Sequence, residues 1–392
     1  MERIGIYGGT FNPPHIGHMQ AAQQAIDLLS LDRLLLIPAA IAPHKQLPTG
    51  SGSAQQRLEM LTIAAKDLPK TQVLDLELRR EGLSYTYLTV EELSVQYPRD
   101  ELVLIMGSDM FLSFDSWKNW EQITQHASLG VLYRGNRDEK AAVAKKKEQL
   151  SAQGVRVELA ENRYTAISST DIRRMLVFGC GEGYLPEGVA DYIREKRLYV
   201  SSEGYRGLSL KQLENVVMEL LKPNRRAHVA GCRDTAVELA KRWGADETDA
   251  ARAGLLHDVT KALDGPLQLT LCQAYGKILD DFSRKYPKTL HALTGSLVAE
   301  RIFGENDAVI SAIRHHTTGR ADMTLLEKII YVADYMEPNR NFPGVQVLRE
   351  LAYTDIDAAL KQGLEFTLEH LARQGSEVSP ESREALAWLN SR

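Results

Sequence analysis

Four short runs, RIGIYG (3–8), RLLLIP (33–38), ELVLIMG (101–107) and LGVLYR (129–134), are apolar at nearly every position. This constrains the fold more than any other feature of the chain. A strand with one face in water alternates apolar and polar residues, whereas a strand apolar throughout needs cover on both faces. The segments between the runs supply that cover. MQAAQQAIDLL and RLEMLTIAAKDL carry apolar residues at helical spacing, so the pattern reads as βαβ units around a parallel sheet. From about Leu208 the texture changes. LKQLENVVMELL, HVAGCRDTAVELAKRW and DIDAALKQGLEFTLEHLA keep the three-to-four-residue period, and no convincing strand remains.

The expected architecture is therefore α/β, a doubly wound parallel sheet, followed by an all-α second half. A chain of 392 residues is long for one core and suits two domains. The polar run VSSEGYRGLS (200–209) suits an exposed connector, giving expected domains at 1–201 and 208–392. EKAAVAKKKEQL (139–150) reads as the solvated face of a helix. The formal net charge of −5 argues against a general nucleic-acid binder and leaves room for small acidic ligands held by local positive groups. Cys180, Cys232 and Cys272 are widely spaced, so neither a disulfide framework nor a thiolate zinc site is indicated. No stretch of about eighteen apolar residues occurs. The sequence also runs from Met1 straight into a strand-like segment. The expectation is a cytoplasmic protein with no membrane partner.

Between the first strand and the first helix lies GGTFNPPHIGH (8–18), too rich in glycine and proline for either element. A first β-to-α turn lies at the carboxyl end of the sheet, where ligands bind. Gly8 and Gly9 let the backbone approach a ligand closely. A helix beginning near Ile16 offers free N–H groups to an anion. His15 and His18, three apart, project from the same side and can donate hydrogen bonds to a phosphate.

HIGH with the preceding GGTFNPP resembles the HxGH nucleotidyltransferase superfamily, and the longer form is similar to bacterial nicotinate-mononucleotide adenylyltransferases. IPAAIAPHK (37–45), SYTYLTVEEL (84–93), IMGSDMFLSFDSW (105–117) and ISSTDIR (167–173) match that family in order, over about the first 200 residues. The resemblance implies a Rossmann-like sheet and transfer of the adenylyl group of ATP, with Mg2+, to nicotinate mononucleotide. No protein nucleophile is needed, because the substrate phosphate attacks the α-phosphorus and the protein positions and stabilises charge. Gly8, Gly9 and Thr10 would supply backbone contacts, His15 and His18 would hold the triphosphate, and Lys45 would add a mobile charge. Ser169 or Thr170 would cap a helix facing phosphate, with Arg173 in its first turn. The resemblance implies Gly107 and Asp109 near ribose or adenine, and Thr86 and Trp117 at the pyridine ring. Phe11, Arg134 and Ser168 complete the implied nucleotide contacts.

In the second half, five of the ten histidines fall between 228 and 316, in company with aspartates. His228, the pair His257-Asp258, His291, the pair His315-His316 and Asp334 form the series. Imidazoles and carboxylates without thiolates suit Fe, Mn or Zn. His257-Asp258 ends an apolar helix, a costly place for an unpaired carboxylate. The series resembles the HD-domain phosphohydrolases. HTTGR followed by LEKIIYVADYMEPNR is similar to the YqeK family, which cuts diadenosine tetraphosphate symmetrically to two ADP. That resemblance implies a metal, iron or manganese, on His228, His257, Asp258 and Asp334. It implies phosphate contacts from His291, His316 and Arg340, with His315 nearby, and Lys261 polarising a phosphoryl oxygen. It leaves open which of His315 and His316 works in the site.

The combined expectation is a bifunctional enzyme handling ATP, nicotinate mononucleotide and diadenosine tetraphosphate. The alternatives are a helical half that only senses nucleotides, or hydrolysis of another nucleotide. Nicotinate against nicotinamide mononucleotide stays open, as does the oligomeric state, a homo-oligomer included.

Overall fold

A computed structural model describes residues 1–391 except 44–46, 134–136, 164 and 166. Lys45 and Arg134 lie outside the described residues. Two compact units divide the chain, one of residues 1–177 and 181–202, the other of 178–180 and 203–392.

In the first unit the order is β1 (Arg3–Gly9), α1 (Ile16–Leu28), β2 (Arg33–Pro38), α2 (Ala54–Ala64), β3 (Thr71–Val73), α3 (Thr86–Gln96) and β4 (Glu101–Gly107). There follow α4 (Ser108–Leu112), α5 (Trp120–His126), β5 (Ala127–Tyr133), α6 (Arg137–Ser151), β6 (Val157–Glu161), α7 (Ser169–Val177) and α8 (Val189–Lys196). All pairings are parallel and the strand order is β3-β2-β1-β4-β5-β6. The continuous apolar runs are explained by the two cores. In β2, Leu35 and Ile37 join Ile4, Ile6 and Leu104 on one face, while Leu34 and Leu36 pack with Ala22, Ala25 and Ile26 of α1 on the other. Each fully buried Leu or Ile contributes roughly 1.5–3 kcal/mol, so both faces are committed.

Two strands were not among the expected ones. β3 is only TQV, and β6 reads VELAE with half-buried and exposed positions. Both are edge strands with a single neighbour, and edges are kept short and polar. The lysine-rich run forms most of α6, where Val143 and Leu150 face the core.

The second unit is helical, with no strand among its described residues. It comprises α9 (Leu210–Leu220), α10 (Arg226–Trp243), α11 (Glu247–Leu256), α12 (Gly265–Ala274), α13 (Asp281–Lys285) and α14 (Leu290–Val298). It continues with α15 (Asp307–His315), α16 (Leu325–Met336), α17 (Val345–Thr354), α18 (Ile356–Arg373) and α19 (Pro380–Asn390). Its centre is α16, whose Ile329, Ile330, Tyr331, Val332 and Ala333 are all buried against α10, α15 and α18. No described helix is long and apolar enough to cross a membrane.

Candidate active sites

The sheet order turns between β1 and β4, and ligands of open α/β sheets bind at the carboxyl ends beside such a turn. Gly8 and Gly9 end β1, and Gly107 ends β4, followed by Asp109 exposed in the first turn of α4. The glycine-rich loop is held by its carbonyl groups. Arg57 Nη1 donates to Thr10 O (2.7 Å), Arg173 Nη1 to Asn12 O (2.6 Å) and Ser169 Oγ to Pro13 O (2.9 Å). The Tyr199 hydroxyl donates to Asn12 Oδ1 (2.8 Å). Arg57, buried at 1% exposure, also donates to Ala40 O at the end of β2. The sequence reading missed it because its partners lie far along the chain.

His15 is the N-cap of α1, and it and His18 cap each other. The His18 N–H donates to His15 Nδ1 (3.3 Å) and the His15 N–H donates to His18 Nδ1 (3.2 Å). An Nδ1 that accepts leaves the ring proton on Nε2, so each imidazole is fixed as an Nε2–H donor. The rings stack at 3.6 Å. The expected free N–H groups of the first turn are reduced by one, since His18's is taken by His15. Gly17 is required between them, because a Cβ there would lie 2.8 Å from Thr165 O and 3.1 Å from His15 Nδ1.

Burial pushes the His15 pKa down from 6.5 to about 4, with Asp171 acting the other way. The unfolded chain therefore takes up a proton between pH 6.5 and 4 that the folded chain does not. The stability this ring contributes is complete above pH 6.5 and is lost as pH falls toward 4, by about 3 kcal/mol. Hydrogen exchange of the α1 amides is expected to speed up across that window beyond its intrinsic pH dependence. The effect shrinks in His15→Asn, which caps without titrating; equal profiles in both proteins would refute it.

The Phe11 ring is buried at 1% exposure, edge-on to His18 at 5.0 Å, which leaves its backbone as the part that can meet a nucleotide. Its backbone is left-handed (φ 46°), a strain of about 1–3 kcal/mol that the buried ring offsets. The cap of α7 is Ser168, which accepts the Asp171 N–H (3.1 Å), and not Ser169 or Thr170. Ser169 is turned to the loop, and Thr170 accepts from Arg173 Nη2. Arg173 lies in the second turn, not the first. Thr86 opens α3 and Trp117 is half-buried against Phe114. Lys118 lies over the Tyr85 ring at 4.3 Å, so the two segments are neighbours.

In the second unit, residues from five helices and their ends converge. His228 comes from α10, His257 and Asp258 from the end of α11, His291 from α14, His316 from the end of α15 and Asp334 from α16. The ring orientations have a simple origin. His257, His291 and His316 each direct Nδ1 at the carbonyl three residues earlier, Gly254 O (2.7 Å), Lys288 O (2.9 Å) and Ile313 O (2.7 Å). A carbonyl only accepts, so Nδ1 carries a proton and Nε2 faces inward as the ligating atom. His228 directs Nδ1 at Glu337 Oε1 (3.1 Å).

Two overlapping donor sets result, His228 with His257 and Asp334, and His257 with Asp258 and His316. Asp258 joins them. Its Oδ2 lies 3.7 Å from His228 Nε2 and 3.5 Å from His257 Nε2, and its Oδ1 3.4 Å from His291 Nε2 and 3.8 Å from His316 Nε2. The residues fit a divalent cation. In neutral rings the Nε2 lone pairs of His228 and His257 (3.3 Å) and of His291 and His316 (3.2 Å) face each other. Asp258 Oδ1, fully buried, has no hydrogen-bond partner.

Cationic groups ring the cluster. Arg225 Nε donates to Asp258 Oδ2 (2.6 Å), Arg340 Nε to Asp334 O (2.7 Å), and Lys261 Nζ to His291 Nε2 (2.7 Å). Arg225 was not foreseen; it stands three residues before His228. His315 is a correction. It lies beside Arg314, Glu327 and Glu381 rather than in the cluster, because adjacent residues at a helix end point about 100° apart. His316 is the one turned inward. Nor are His291 and His316 set apart from the aspartates, since both turn Nε2 to Asp258.

A cytidylyltransferase-like family model matches residues 6–175, and an HD domain model matches residues 225–339. A probable nicotinate-nucleotide adenylyltransferase of Symbiobacterium thermophilum is 37% identical over 209 residues, covering 52% of this chain and 99% of the relative. A symmetrical bis(5'-nucleosyl)-tetraphosphatase of Bacillus subtilis is 40% identical over 176 residues, covering 45% of this chain and 94% of the relative. A crystal structure described as a predicted HD superfamily hydrolase involved in NAD metabolism, from Clostridium acetobutylicum, is 38% identical. It covers 47% of this chain and 98% of its own, at a TM-score of 0.46. The chain thus joins a member of the nicotinate-nucleotide adenylyltransferase family to a member of the HD-domain family that includes the symmetrical bis(5'-nucleosyl)-tetraphosphatase.

Proposed function

We propose that the chain is a bifunctional enzyme. Residues 1–201 transfer the adenylyl group of ATP to nicotinate mononucleotide, giving deamido-NAD and pyrophosphate, and residues 208–392 hydrolyse diadenosine tetraphosphate to two ADP. The observation that carries the second activity is the convergence of inward Nε2 atoms on Asp258. The first rests on two fixed Nε2–H donors at a helix start beside the turn of the sheet order.

In the transferase site the phosphate of nicotinate mononucleotide attacks the α-phosphorus of Mg2+-bound ATP, and pyrophosphate leaves. His15 and His18 donate to the phosphates, and the loop held by Arg57 and Arg173 keeps Gly8, Gly9 and Thr10 in place. Lys45 and Arg134 add charge, while Gly107 and Asp109 hold the ribose or adenine. Thr86 and Trp117 hold the pyridine ring.

In the hydrolase site His228, His257, Asp258 and Asp334 hold iron or manganese, and His291 and His316 with Asp258 extend the donor set. A bound ion there activates water and offsets charge on the phosphates. Lys261, Arg225 and Arg340 orient the phosphate chain and neutralise the ADP leaving group. Cys180, Cys232 and Cys272 form no disulfide, which suits a reducing cytoplasm.

The test uses the purified full chain. ATP with nicotinate mononucleotide is expected to give deamido-NAD, faster than nicotinamide mononucleotide gives NAD. Diadenosine tetraphosphate is expected to give ADP as sole product, with iron or manganese in the protein. No cleavage after supplying either metal under reducing conditions would leave the helical unit a nucleotide sensor or a hydrolase of another nucleotide.

A further inference from the structure

Three of the four inward imidazoles take their orientation from a carbonyl three residues away. His228 has no such local support. The partner of its Nδ1 is Glu337, 109 residues further on, just beyond the end of α16. Glu337 is 1% exposed, and a buried carboxylate is costly unless every oxygen is satisfied. Here both are. Oε1 faces His228 Nδ1, and Oε2 accepts from the Asn339 backbone N–H (2.7 Å) and from Asn339 Nδ2 (2.8 Å). Asn339 Nδ2 also donates to Ala227 O (3.1 Å) in the first turn of α10. Helix α10 is shaped for the carboxylate. Gly231, one turn after His228, would place a Cβ 2.4 Å from Glu337 Oε2, so any side chain there drives the carboxylate away.

Resting on the metal-dependent reading of the helical unit, we infer that Glu337 is a positioning residue. It accepts the Nδ1 proton of His228 and fixes the tautomer that turns Nε2 toward Asp334 (3.1 Å). Asn339 holds the carboxylate at the angle this requires. Outer partners of a ligating histidine typically change metal affinity by about 10–100-fold. Glutamine at 337 keeps an acceptor without the charge; alanine removes both.

The experiment titrates Mn2+ into metal-stripped full-length protein. E337Q is expected to bind about tenfold more weakly than wild type and E337A about a hundredfold more weakly. The lost hydrolysis of diadenosine tetraphosphate is expected to return at saturating Mn2+ in E337Q, a rescue that a folding defect would not show. G231A, with Glu337 intact, should weaken Mn2+ binding as E337Q does. In wild type, 15N NMR of the His228 ring is expected to show Nδ1 protonated, a readout that needs no folded variant. Wild-type affinity in both Glu337 variants, or a His228 ring unprotonated at Nδ1, overturns the inference. H228A separates the two levels. If it binds Mn2+ as wild type does, the metal assignment fails and this inference with it. If H228A loses Mn2+ while E337A does not, only the role of Glu337 fails.

Discussion

Asp258→Asn is expected to lower cleavage of diadenosine tetraphosphate about a thousandfold and to leave adenylyl transfer unchanged. The size follows from what the carboxylate touches. One oxygen faces His228 and His257 and accepts from Arg225, and the other, with no hydrogen-bond partner, faces His291 and His316. The set of His257, Asp258 and His316 loses its carboxylate, and the set of His228, His257 and Asp334 loses the anion beside it. Transition-state charge stabilisation by a bound ion is worth several kcal/mol, and each 1.36 kcal/mol is a factor of ten in rate. The amide keeps the volume of the carboxylate, so a fold defect is not the expected cause. Metal content should fall with activity. Cleavage within tenfold of wild type, with metal retained, would exclude Asp258 from the site.

His18→Ala is expected to lower kcat for adenylyl transfer about 10²–10³-fold, the usual effect of losing one preorganised donor, with hydrolysis of diadenosine tetraphosphate untouched. The argument is one of proton location. Because each Nδ1 accepts a backbone N–H, each Nε2 already carries its proton and nothing must rearrange as charge builds on the phosphates. The His15 partner makes the effect cooperative, since its ring stacks on His18 and loses that contact. A loss confined to the KM for ATP would assign His18 to ground-state binding. Wild-type turnover would reduce the pair to a helix cap.

The contrast between legible and illegible parts has a physical basis. The four inner strands could be read because burial on both faces leaves a continuous apolar run, while β3 and β6, at the edges, carry no such signature. The HIGH turn was legible since its glycines, prolines and histidines are crowded into one segment. The metal-ligating series was legible as residue types, yet choosing between His315 and His316 needed the direction of the helix end. Arg57 and Glu337 could not be read at all, as their partners stand 47 and 109 residues away. Ser168 was missed as a cap because three candidates stand side by side in SST, and only Asp171 three residues on decides among them.

The mutual capping of His15 and His18 has a consequence for anyone altering this sequence. Serine, aspartate and asparagine are the better N-caps, and none would bury an imidazole that resists protonation. A redesign that chose the cap at position 15 by helix propensity alone would install Ser, Asp or Asn and remove with the His15 imidazole its reciprocal cap and its stack on His18.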